Sequence, residues 1–157
     1  LFGGIIAVTG ISILRKTVSN LLDKADEKLL MEMAAYLNDH RRQEWIDIHN
    51  TRILKYGSCL HIDCDLTVPW FYTVDEGHEC GVNLKELLQQ KYGGRIDMTI
   101  HLDPCNVSKE CKCGYCQNMQ CRNRMKPFQA QVPISFRSFT QSDNEKANGM
   151  EGLLPAR

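Results

Sequence analysis

The chain has 157 residues, enough for one domain with a core of its own plus short extensions. Its 19 basic and 19 acidic residues cancel and are mixed along the chain, which excludes the basic stripe that follows a phosphate backbone and, with it, a nucleic-acid partner. Five of the eight cysteines fall between Cys105 and Cys121, and thiols crowded at such short spacings favour metal-held thiolates in a reducing compartment over a secreted disulfide scaffold.

Residues 1 to 14, LFGGIIAVTGISIL, carry no charge, and the chain opens on Leu, as a cut end would. Fourteen helical residues rise only about 21 Å against a hydrocarbon core of about 30 Å, so this run cannot cross a bilayer alone. Two readings stand. It is the end of a membrane helix, with Arg15 and Lys16 marking its cytoplasmic side, or a buried helix of a soluble protein. A signal peptide fits poorly, since no basic residue precedes the run. RKTVSNLLD, residues 15 to 23, continues as helix or short link.

From Asp26 to His40 the apolar residues Leu29, Leu30, Met33, Ala34 and Leu37 repeat at helical spacing, with acids in the first turn, and predict an amphipathic helix. The period then changes to two. Leu60, Ile62, Cys64, Leu66 and Val68 share one strand face, and His61, Asp63, Asp65 and Thr67 share the other. The preceding run puts Ile46, Ile48 and Leu54 in one parity and Asp47, His49 and Thr51 in the other. A three-residue loop at Tyr56-Gly57-Ser58 is expected to pair His49 with Asp65, because a two-residue loop would mix the faces.

TVDEGHECGVNLKELLQQKYG begins with a capping box, Thr73 and Glu76, and predicts a second helix in which Gly77 and Gly81 each cost about 1 kcal/mol unless close packing needs them. Ile96, Met98, Ile100 and Leu102 then alternate with Asp97, Thr99, His101 and Asp103 as a third strand. The order is α-β-β-α-β, an α+β two-layer sandwich with both helices over one sheet face. Residues 131 to 139, QVPISFRSF, predict one more extended stretch, and 140 to 157 read as a flexible tail.

Helices on one face leave a polar face that gathers His49, Asp65, His101 and Asp103. Imidazole and carboxylate suit a divalent ion such as zinc, and His101-x-Asp103 aims two ligands the same way because strand side chains repeat every second residue. The bland alternative is a solvated face. His61 and Asp63 share it as lesser candidates, His78 is expected on the buried side of its helix as a structural residue or outer ligand, and His40 suits a helix C-terminus. Among the thiols, Cys113 and Cys116 can converge on one ion, and Cys105, Cys111 and Cys121 complete the set. Cu(I) or an iron–sulfur cluster would suit it too. A redox CxxC would normally open a helix after a strand, whereas this one lies in a Lys- and Asn-rich loop. The chain has no P-loop, dinucleotide fingerprint, nucleophile elbow or HExxH helix, and no enzyme activity is predicted.

ILRKTVSNLLDKADEKLL, WIDIHNTRILKYGSCLHIDCDLTVPW, the helix containing EGHE, and IHLDPC resemble the C-terminal part of cation diffusion facilitator transporters. The resemblance covers about residues 5 to 105 and implies an integral-membrane exporter of zinc-type ions in exchange for protons, an antiporter, with a dimerising, metallochaperone-like cytoplasmic domain. It implies that 1–22 is the end of the last membrane helix and a linker, 23–104 the dimerisation and metal-sensing domain, 105–139 a Cys-rich extension and 140–157 the tail. His49, His101 and Asp103 fall on cytoplasmic metal-ligand positions. Asp65 stands where the family usually has His, and Gly77 where it has Ala. The implied ligand is zinc or a similar divalent cation, iron, cobalt, cadmium or manganese included. The implied partners are a second copy and, through the N-terminal helix, the membrane; this portion would be mostly cytoplasmic. A free-standing metallochaperone or thiolate buffer working through Cys105 to Cys121 is the alternative, and a thiol oxidoreductase using Cys113 or Cys116 the third.

Overall fold

The computed structural model describes residues 2–21, 27–93, 95–105, 112–131 and 133–142. Cys111 and the tail past residue 142 lie outside the described residues. In chain order the elements are α1 (Phe2–Leu21), α2 (Glu27–Asp39), β1 (Asp47–Tyr56), β2 (Cys59–Val68), α3 (Val74–Tyr92), β3 (Ile96–Pro104), a 3₁₀ turn (Lys112–Gly114) and α4 (Phe136–Thr140). The fold is α+β, as the change of period predicts. The sheet order is β1-β2-β3, with β1 antiparallel to β2 and β3 parallel to it. Parallel neighbours need a long crossover, which α3 supplies.

The hairpin reaches the expected end register by a different route. Tyr56 pairs with Cys59, so the loop is only Gly57-Ser58, with Gly57 at φ 60°, as the first position of a II′ turn requires. A one-residue bulge between His49 and Arg52 then shifts the register, and His49 still pairs with Asp65. Because the bulge changes parity, Ile53 rather than Leu54 faces the core, opposite Ile62. Asn50 occupies the bulge at φ 51°, a left-handed conformation for which Asn is enriched.

The core lies between the apolar sheet face and the helices. Leu30, Met33, Ala34 and Leu37 of α2 and Cys80, Leu84 and Leu88 of α3 pack with Ile48, Ile62, Cys64, Leu66 and Ile96. The capping box at the start of α3 is formed in both directions, Glu76 N–H to Thr73 Oγ1 at 3.2 Å and Thr73 N–H to Glu76 Oε2 at 2.7 Å. Its glycines permit close packing on β3: a Cβ on Gly77 would meet Leu102 Cδ1 at 3.2 Å, and one on Gly81 would meet Ile100 Cδ1 at 3.4 Å.

Residues 136–139, expected as extended chain, form α4 with Thr140, which was expected to open the tail. Ser135 caps it, accepting from Ser138 N–H at 3.1 Å, and Ser138 answers by accepting from Ser135 N–H at 2.9 Å. Phe139 and Ile134 enter the core, and Asn38 at the end of α2 grips Ile134 twice, at 2.7 and 2.8 Å. The apolar side chains of α1 up to Leu14 are exposed, and no described helix is long and apolar enough to cross a membrane.

Candidate metal centre

Two adjacent rungs of the sheet build the polar site. One carries His49, Asp65 and His101 across β1, β2 and β3; the next carries Asp47, Thr67 and Asp103. Up to the bulge in β1, and throughout β2 and β3, odd positions therefore face the same side, opposite the core. Within this array His49 is 1% exposed, and its Nε2 lies 3.7 Å from Asp103 Oδ2 and 3.9 Å from Asp65 Oδ2. Asp47 Oδ2 approaches Nδ1 at 3.7 Å. These separations exceed hydrogen-bond length, yet they are within a few tenths of an ångström of the donor spacing around one ion bound at about 2.0–2.2 Å.

Among the described residues, one ligand atom each from His49, Asp65 and Asp103 lie within 4.8 Å of one another. Three carboxylates around one imidazole repel each other in a half-buried setting, and a dication offsets that repulsion. Thr67 sits at the centre of the second rung, 2% exposed, and its Oγ1 has no hydrogen-bond partner among the described residues. A buried hydroxyl without a partner is costly, and a hydrated ion would give it one. The residues present fit a divalent cation of the zinc type.

His101 stands beside this set. Its ring is 72% exposed, and its Nε2 meets Asp103 Oδ1 at 3.1 Å, so it orients a ligand from the outside. His61 lies further along the same face between Asp97, 2.9 Å from Nδ1, and Asp63, 3.1 Å from Nε2. His78 is exposed, contrary to its expected place on the buried side of α3; it lines a half-open groove of about 280 Å³ with Gly81, Val82, Lys85 and the apolar edge of β3. The helix phase is set by Gly77 and Gly81, which take the buried positions on that side. His40 contacts Tyr36 O at 2.9 Å at the end of α2, as its helix-terminal position predicts.

Asn50, Asp47 and Thr67 belong to the site although the alternation alone did not single them out. Asn50 Nδ2–H donates to Asp65 Oδ2 at 2.9 Å and fixes that carboxylate from the bulge. Asp47 and Thr67 share the parity of His49 and Asp65, and that shared parity was their one signal.

The cysteines divide into two groups. Burial pushes the Cys64 thiol up to about 12, with help from Asp65 and Asp63, and pushes Cys80 up to about 11, so both are inert core residues. Cys105, Cys113, Cys116 and Cys121 stand near one another: burial raises Cys105, the Trp70 N–H opposes this, and the sulfurs of Cys116, Cys121 and Cys113 add to the rise. Cys113 and Cys116 are buried, Cys105 and Cys121 partly so.

A family model for the cytoplasmic domain of cation efflux proteins matches residues 25–105. No curated protein sequence matches the chain. Similar solved structures include the zinc form of CzrB, described as a zinc transporter (21% identity, 52% of this chain and 91% of that one, TM-score 0.48). A second CzrB structure (22% identity, 49% and 93%, TM-score 0.45) also matches. A third is the metal-bound C-terminal domain of the CzcD transporter from Thermotoga maritima (28% identity, 50% and 92%, TM-score 0.42).

Proposed function

We propose that this chain, which belongs to the cation efflux protein family and holds that family's cytoplasmic domain, binds a divalent cation of the zinc type on its sheet and uses it to regulate efflux. The observation that carries the reading is the meeting of His49, Asp65 and Asp103, from three strands, within 4.8 Å around a buried imidazole. His49, Asp65 and Asp103 hold the ion, His101 and Asn50 orient the carboxylates, and bound charge offsets the repulsion among Asp47, Asp65 and Asp103.

A second copy of the domain forms the homodimer in which this change is read. Protomers whose acidic faces repel each other approach more closely once each carries a dication, and the favoured arrangement biases the attached membrane helices of a proton-coupled transporter. The exposed apolar run of α1 is the attachment to that membrane part, and the sheet domain faces the cytoplasm. His49→Ala is the test, with zinc affinity followed by calorimetry and dimer fraction by sedimentation. The expected outcome is loss of the sheet-bound ion and of any zinc-dependent rise in dimer. Unchanged zinc binding in that variant refutes the assignment.

A further inference from the structure

Residues 112–131 contain a single 3₁₀ turn and otherwise no helix or strand, yet Cys113 and Cys116 within them are 8% and 6% exposed. A stretch this long without regular elements cannot bury side chains on its own core, and short protein segments of this kind are held by disulfides or metal. Two of its sulfurs, and that of Cys105, are met by backbone donors. Trp70 N–H points at Cys105 Sγ, 3.4 Å away, Met125 N–H at Cys113 Sγ, 3.5 Å away, and Asn118 N–H bonds the Cys116 sulfur. A neutral thiol is a weak acceptor, whereas a metal-held thiolate accepts such bonds well, so amides aimed at these sulfurs suit a set of metal ligands.

The loop is folded around this cluster by a cation. Arg124 donates to the carbonyls of Cys113 at 2.9 Å, Cys116 at 2.7 Å, Asn118 at 2.8 Å and Lys126 at 3.1 Å. Its guanidinium therefore lies next to the sulfur-bearing turns, where it offsets thiolate charge. Cys105 adds the link to the sheet, since its N–H continues the β2–β3 ladder to Val68 O at 2.8 Å.

We propose that Cys105, Cys113, Cys116 and Cys121 bind one zinc ion as a tetrahedral thiolate site that fastens residues 112–131 onto the ends of β2 and β3. Four sulfurs and an x2 spacing between the central pair match a closed structural zinc site. Each thiol gives its proton to solvent as its sulfur takes up the ion. The thiol set is looser than the sheet set, whose ligand atoms alone fall within 4.8 Å of one another among the described residues, so zinc draws the sulfurs inward. This site is distinct from the sheet centre and rests on none of its ligands.

Metal content of the full chain and its His49→Ala variant, both purified reduced with zinc and desalted, separates the two sites. The expected result is one zinc ion per chain retained by His49→Ala, released when an organomercurial titrates the thiols, and retained by Cys111→Ser. Cobalt loading of His49→Ala is expected to give sulfur-to-cobalt charge-transfer bands and the intense visible bands of a tetrahedral thiolate site, without any cysteine variant. A His49→Ala chain without metal, a retained zinc that survives Cys116→Ser with Cys121→Ser, loss of zinc in Cys111→Ser, an iron–sulfur chromophore or a disulfide among the four would each overturn it. The sheet reading stands or falls separately, on the difference in zinc content between wild type and His49→Ala.

Discussion

Asn50 joins backbone geometry to metal chemistry in a single side chain. Its φ of 51° is costly for a residue with an ordinary Cβ, and its amide holds Asp65 Oδ2 at 2.9 Å. The two contributions separate by substitution. Asn50→Ala is expected to lose about 1 kcal/mol of stability from strain in the bulge, whereas Asn50→Gly, free at positive φ, loses less. Both remove the contact to Asp65, and both are expected to weaken zinc binding at the sheet by about tenfold or more, the usual effect of losing an outer partner of a ligand. Urea unfolding together with zinc calorimetry on the pair checks this; equal stability in the two variants would show that the bulge stores no strain. The polar parity of Asp47 and His49 was legible, but the role of Asn50 was not, since alternation carries no sign of an inserted residue. The two-residue loop and the bulge compensate each other, so the register at His49 came out as expected while the path to it did not.

At the scale of elements, α3 shows how helix preference and packing oppose each other. Thr73 caps it through both halves of the capping box, and Thr73→Ala is expected to cost about 1 kcal/mol. Gly77→Ala acts the other way: Ala is favoured in a helix by about 1 kcal/mol, and the added methyl meets only the tip of Leu102 at 3.2 Å, on a half-exposed side chain that can turn aside. A net gain below about 1 kcal/mol in chemical denaturation is the expected outcome, and a loss would show that β3 needs the close approach. Cys80, in the middle of α3, adds a pH dependence. Burial raises its thiol from the ordinary 9.0 to about 11, reinforced by Glu44 and Glu79, so the folded state keeps a proton that the unfolded state releases. Its contribution is complete below 9.0 and is lost as pH rises from there to about 11. Stability measured across that window should fall less steeply in Cys80→Ala than in wild type. These helices and all three strands were legible because each carries a run of alternating or 3.6-spaced apolar residues. The helix α4 was not, because its five residues are shorter than two turns and its box closes with Ser138 rather than Glu or Gln.

Across the whole molecule, the two proposed metal centres are mechanically joined. Asp103 holds the sheet ion, Cys105 two residues later holds the thiolate ion, and the ladder bond from Cys105 N–H to Val68 O, 2.8 Å, ties the latter to β2, which carries Asp65 and Thr67. A filled thiolate site therefore restricts the end of β3 and lowers the ordering cost of placing Asp103. Zinc at about 100 times its Kd contributes about 2.7 kcal/mol per independent site, which for a chain of this size raises Tm by about 5–11 °C. Chelation should reverse that rise in two steps in wild type and in one step in His49→Ala. The coupling is expected to appear as a several-fold weaker sheet affinity in Cys116→Ser, a residue that touches none of the sheet ligands. Linkage requires the converse: emptying the sheet through His49→Ala weakens the thiolate site by the same factor. Competition titrations with a zinc indicator on both variants measure the two factors. Unequal factors would mean that one substitution perturbs the fold, and factors of one would mean that the extension and the sheet sense metal independently.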